Sequence, residues 1–181
     1  MTERKIYNPV QKDYVTFIKT SRETNGEYTL VDVELAVGGG VGLHFHKTYT
    51  EKFTVTEGVL GITLGKEDIR LKPGEHATAE KNVLHRFYNP ESKPVKFQVQ
   101  LQPASEGFER SLQVAYGLAR DGKTNAKGIP LNIFHVALLL EMSESKLPGA
   151  YSIFEFLLIT MARMARAFRW DKKLHRYYLS H

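Results

Sequence analysis

From about residue 4 to residue 103 apolar and polar residues alternate in short runs, and turn residues break the runs. Tyr14–Thr20 alternates and is rich in β-branched and aromatic residues. Asn25-Gly26 follows, a strong hairpin signal because both residue types tolerate positive φ. Tyr28–Val37 is the next predicted strand and runs into Gly38-Gly39-Gly40 and Gly42. Further runs are Lys52–Thr56, Val59–Leu64, Asp68–Leu71, His76–Ala79, His85–Tyr88 and Val95–Leu101. Glu57-Gly58, Gly65-Lys66, Pro73-Gly74, Lys81-Asn82 and Asn89-Pro90 separate them. Many short strands joined by tight turns predict a sandwich or barrel.

After Pro103 the period changes from strand to helix. Phe108–Leu118 reads as a helix with Ser105 as its N-cap. A polar loop covers Ala119–Pro130, and Leu131–Met142 is a strongly apolar helix. Ser143–Gly149 is a connector ending in Pro148-Gly149, and Tyr151–Trp170 is a long amphipathic helix. On a helical wheel Leu157, Met161, Met164 and Phe168 share one face, with Arg163, Arg166 and Arg169 opposite. The chain therefore divides into an all-β domain, residues 1–103, and a helical C-terminal extension, residues 104–181. No internal repeat or low-complexity tract is present.

Charge sharpens this division. The 181 residues carry 25 Lys+Arg against 20 Asp+Glu, a net charge of +5. Residues 1–110 hold 15 of each sign, so residues 111–181, with 10 basic and 5 acidic, carry the whole excess. There are no cysteines. That excludes disulfides, thiolate zinc sites, iron–sulfur clusters and a Cys nucleophile, so any metal must be held by His, Asp or Glu. The start lacks an apolar signal core. The apolar stretch Ile153–Thr160, interrupted by Glu155, falls short of the roughly 20 residues a spanning helix needs. The expected location is cytoplasmic.

The strongest chemical signal is the segment from Gly38 to Glu51. His44 and His46 lie two apart on a predicted strand, so both rings project from one face. Glu51 can return to that face after a short turn. His85, 39 residues beyond His46, adds a third imidazole in a β context. Three imidazoles and a carboxylate inside a barrel suit a borderline divalent metal and can leave coordination positions open for water or substrate.

These residues resemble the cupin superfamily. Its first motif, G-x5-H-x-H-x4-E-x6-G, is filled at every position by Gly38, His44, His46, Glu51 and Gly58. Its second, G-x5-P-x-G-x2-H-x3-N, is matched in spacing by Gly74, His85 and Asn89. Glu80 stands where proline is usual and Asn82 where glycine is usual. Both departures fall in the turn, and Asn can adopt the left-handed conformation that glycine would supply. The resemblance covers roughly residues 28–102. It implies a mainly β fold with an α extension, a cupin jelly-roll β-barrel followed by about three C-terminal helices. It implies metal ligation by His44, His46, Glu51 and His85, with Fe, Mn, Ni, Zn or Cu as the divalent transition metal. The motifs do not fix the reaction, because cupins host many functions.

Alternation puts Phe53 and Val55 on the Glu51 side and Phe87 on the His85 side. They line an apolar substrate pocket or belong to ordinary barrel core. Tyr49 contacts substrate or closes the turn, the second being the simpler role. Gln98 and Gln100 are expected outside, His76 and His135 away from any ligand role, and His175 and His181 in a solvated basic tail. No catalytic residue is named. The expected function is a metal-binding cupin acting on or binding a small molecule, a metal-dependent oxygenase first, an isomerase or epimerase next. The alternative is a non-catalytic binding or sensing module. The apolar helix faces then pack on the barrel, on a second copy in a homodimer, or on a membrane surface through the basic amphipathic helix. No nucleic acid is expected.

Overall fold

The computed structural model describes residues 4–146 and 155–179. The alternating runs become strands β1 (Lys5–Asn8), β2 (Asp13–Lys19), β3 (Thr29–Leu35), β4 (Phe45–His46), β5 (Thr50–Glu57), β6 (Leu60–Leu64), β7 (Glu67–Leu71), β8 (His76–Ala79), β9 (His85–Tyr88) and β10 (Val95–Gln102). One sheet has the order β1-β2-β3-β10-β5-β8 and a second the order β7-β6-β9. The paired strands run antiparallel. Asn25 and Gly26, in the β2–β3 connection, take positive φ of 52° and 85°, the conformation the dipeptide predicts.

Strict alternation decides which side chains meet. In β10 Val95, Phe97, Val99 and Leu101 are buried, while Lys96 and Gln102 are exposed and Gln98 donates to Asp32. β3 contributes Val31, Val33 and Leu35, β5 contributes Phe53 and Val55, and β6 contributes Leu60 and Ile62 to the same core. Truncating a buried aromatic such as Phe97 to Ala costs about 3–5 kcal/mol, so this shared face dominates the energetics. The two sheets form a mainly β jelly roll, the fold class the sequence implies.

Among the described residues four helices follow, where the sequence implies about three: α1 (Glu106–Arg120), α2 (Ile133–Met142), α3 (Glu155–Ala167) and α4 (Trp170–Tyr178). A last two-residue strand, β11 (Ser145–Lys146), pairs with β4. Ser105 caps α1 by accepting from the Phe108 amide at 3.1 Å. Buried polar contacts pin α1 to the barrel: Glu109 accepts from Thr29 Oγ1 at 2.7 Å, and Tyr116 donates to Asp13 at 2.6 Å. A second core joins Val114 and Leu118 of α1 to Ala137, Leu138, Ala162, Ala165 and Leu174.

The long C-terminal helix read from the sequence is broken. Its first residues, 151–154, lie outside the described residues, and Arg169 takes a left-handed φ of 58° between α3 and α4. The bend folds α4 back onto α1. It packs Trp170 against Phe134 at 4.8 Å between ring centroids and buries Leu174, which a straight continuation would carry away. The face that packs also differs. Leu158, Met161, Ala162 and Ala165 turn inward, while Leu157, Met164 and Phe168 are 53%, 46% and 65% exposed. No helix among the described residues is long and apolar enough to cross a membrane.

Candidate metal centre

Three segments build the site. β4 carries His46, β5 carries Glu51 and β9 carries His85. His44 lies just before β4, and its backbone clips onto His85: His44 N donates to His85 O at 3.0 Å and His85 N to His44 O at 2.8 Å. The turn before His85 depends on Asn82, whose φ of 65° fills the left-handed role expected of it. As a result, one donor atom from each of His44, His46, Glu51 and His85 lies within 4.8 Å of every other. His46, Glu51 and His85 are buried and His44 is partly exposed.

Ring orientation follows from the hydrogen bonds of the remote nitrogens. Nδ1 of His44 is 2.8 Å from the Gly42 carbonyl, and Nδ1 of His85 is 2.8 Å from the Val83 carbonyl. A carbonyl only accepts, so both Nδ1 atoms carry a proton; Nε2 of His44 is left to present a lone pair, and Nε2 of His85 faces Glu51 Oε2 at 2.9 Å. His46 is held differently. Its ring stacks on Tyr49 with centroids 4.4 Å apart, and its Nδ1 lies 3.4 Å from Ser145 Oγ of β11. Tyr49 Oη in turn donates to the Ser143 carbonyl at 2.7 Å.

The electrostatics are those of a buried anion among imidazoles. Burial alone would raise the Glu51 carboxyl, but the His85 hydrogen bond and the three rings hold it at about 2. Desolvation lowers His46 to about 4 and lowers His44 as well. Burial also works against protonation of His85, but the Glu51 hydrogen bond outweighs it and the net shift is upward. The site thus presents one fixed negative charge, with burial disfavouring the charged forms of His44 and His46 and Glu51 favouring that of His85.

This donor set fits a divalent transition metal. Nε2 of His46 is buried with no hydrogen-bond partner and stands 3.7 Å from Glu51 Oε2, an orphaned ring nitrogen facing a carboxylate. Such a group is costly unless a cation satisfies it. Nitrogen and oxygen donors of this kind suit iron, manganese, nickel, zinc or copper.

Of the other sequence candidates, Tyr49 is buried against His46, and the Phe53 ring lies 6.2 Å from the His85 ring. Phe87 packs on Phe53 and Phe97, at 6.1 and 5.1 Å between centroids. Val55 lies fully buried in the core, farther along β5. His76 is exposed on β8, His135 lies against Trp170, His175 is half-buried, and His181 lies outside the described residues. Sequence reasoning missed Ser143 and Ser145. A two-residue strand has no periodicity to read, and its partner lies 99 residues away.

Residues 31–100 match the family model of the cupin domain. That stretch of the β domain is a cupin domain. Among solved structures it is similar to an RmlC-like cupin from Shewanella frigidimarina NCIMB 400. That match has 17% identity and a TM-score of 0.50, and covers 59% of this chain and 89% of that one. A predicted oxalate decarboxylase from Thermotoga maritima aligns at 16% identity and TM-score 0.49 over 50% of this chain and 80% of its own. A sugar phosphate isomerase of the cupin superfamily from Silicibacter pomeroyi aligns at 22% identity and TM-score 0.46 over 51% and 60%. No curated protein matches the chain.

Proposed function

We propose that this cupin binds one divalent transition metal through His44, His46, Glu51 and His85 and receives a small molecule at that centre. The observation that carries the reading is the orphaned His46 Nε2, buried and facing the Glu51 carboxylate beside two other imidazoles. A bound metal supplies Lewis acidity or oxygen activation at positions its protein ligands leave open. The chain's own part is to fix three nitrogens and one oxygen in a largely buried cluster beside Tyr49, Phe53 and Phe87. The partly exposed His44 is the side open to solvent. An oxygenase is the first reaction to test, because an N3O ligand set suits iron. Metal analysis of protein purified without chelator should find about one equivalent, and His44→Ala should abolish it. Absence of metal from the wild type sinks the reading. Oxygen uptake with candidate substrates then tests the oxygenase.

A second reading, a non-catalytic sensing module, is favoured by one observation. Leu157 and Met164 of α3, with Phe168 just after it, leave an apolar face uncovered, and Phe156 lies beside it. In that reading the extension joins two copies in a homodimer or rests on a membrane surface, and ligand occupancy is passed to it. Analytical ultracentrifugation and liposome co-sedimentation distinguish the two. A monomer that ignores vesicles, and that turns over a substrate, removes this reading.

A further inference from the structure

The three imidazoles are not held in the same way. His44 and His85 each place Nδ1 against the carbonyl two residues before, Gly42 and Val83, both at 2.8 Å. For His46 the equivalent carbonyl belongs to His44, and it is already engaged by the His85 amide at 2.8 Å. The His46 ring makes no such local bond, and its Nδ1 faces Ser145 Oγ instead.

The helical extension supplies the substitute. β11 pairs with β4 in the register Ser145↔His46, which sets Ser145 Oγ 3.4 Å from His46 Nδ1. Tyr49 closes the circuit: it stacks on His46 and donates to Ser143 O at 2.7 Å. We propose that Ser145 is a positioning residue for the metal centre. It fixes the His46 ring so that Nε2 faces Glu51, and the extension thereby completes a site whose four ligands all come from the barrel. Ring orientation by a hydrogen bond on the remote nitrogen is a general device of metal sites, and losing the partner weakens metal affinity about 10- to 100-fold.

This inference rests on the metal-centre reading, and the test separates the two. Co2+ is titrated into the full-length, chelator-stripped protein against a competing chelator, and its visible absorption bands report ligand geometry. Ser145→Ala should weaken binding by about 10-fold or more and shift the bands. Tyr49→Phe keeps the stacked ring but loses the anchor on Ser143, and should weaken binding in the same direction. Ser145→Thr, which keeps the hydroxyl, should restore it. The melting temperature of each metal-free variant reports any purely structural cost, and the metal-induced rise in melting temperature should shrink beyond it. Wild-type binding with unchanged affinity and spectrum in Ser145→Ala and Tyr49→Phe overturns the positioning role alone. A wild type that takes up no Co2+ overturns the metal reading and this inference together.

Discussion

His85 Nε2 stands 2.9 Å from Glu51 Oε2, while Nδ1 of the same ring stands 2.8 Å from the Val83 carbonyl. A neutral imidazole has one proton and cannot donate to both. The ring must either be doubly protonated or share a cation with the carboxylate. The protein therefore has two ways to fill the contact, a proton or a metal ion, and they exclude one another.

Glu51→Gln removes the anionic partner while keeping the shape. It should weaken Co2+ or Zn2+ binding by about 100-fold or more, beyond the range of outer-shell changes. Isothermal titration calorimetry on the stripped protein checks this. Equal affinity in the variant would mean that the carboxylate is not a ligand.

Metal should stabilise the fold by mass action. At a free metal concentration 100 times Kd the gain is about 2.7 kcal/mol. For a chain of this size that corresponds to a rise in Tm of roughly 5–10 °C. Differential scanning fluorimetry with and without chelator reads it, and coincident curves in both conditions count against a resident metal.

Asp13 makes stability depend on pH. Burial pushes its carboxyl up to about 6 in the folded state, from 3.8, even though the Tyr116 hydroxyl hydrogen-bonds it. The folded form then holds its proton more tightly than the unfolded chain. The contribution of this group is greatest below about pH 4 and is lost as pH rises to 6, on the order of 3 kcal/mol at the usual 1.4 kcal/mol per pH unit. Urea unfolding of wild type and Asp13→Asn from pH 4 to 7 should give a difference curve that falls across that window. A flat difference contradicts the shift.

Gly117 marks the closest approach of α1 and α4. A Cβ there would lie 2.2 Å from Tyr178 Cδ1. Gly117→Val should displace α4 and destabilise by about 1–3 kcal/mol, the usual cost of overpacking. Chemical denaturation measures the loss. The Ser145–His46 contact, made from the connector after α2, should survive, so metal binding in this variant should persist.

Most of the barrel was legible because its signals are local. Alternation from Val95 to Leu101 assigns inside and outside residue by residue, and Asn82 could be read as left-handed from its chemistry alone. The spacing of His44, His46, Glu51 and His85 likewise pointed to one cluster before any coordinates. The extension was less legible. Arg169 breaks the helix without a glycine or proline to announce it, because the packing of Trp170 and Leu174 decides the bend. On the last long helix, hydrophobicity picks out Leu157, Met161, Met164 and Phe168, of which only Met161 packs inward, and the small residues Ala162 and Ala165 are buried beside it. β11 left no trace in the sequence, since its meaning lies wholly in its partner.

Helix α1 has two apolar sides. Phe108, Leu112, Ala115 and Tyr116 pack toward the barrel, while Val114 and Leu118 belong to the helical core. The change of pattern at Pro103 is thus a grammatical boundary and not a seam. Cutting the chain there strips cover from the barrel and leaves the remaining helices without a floor. The barrel and its appendage are held together through one shared helix, so a change on either side of α1 is felt by the other.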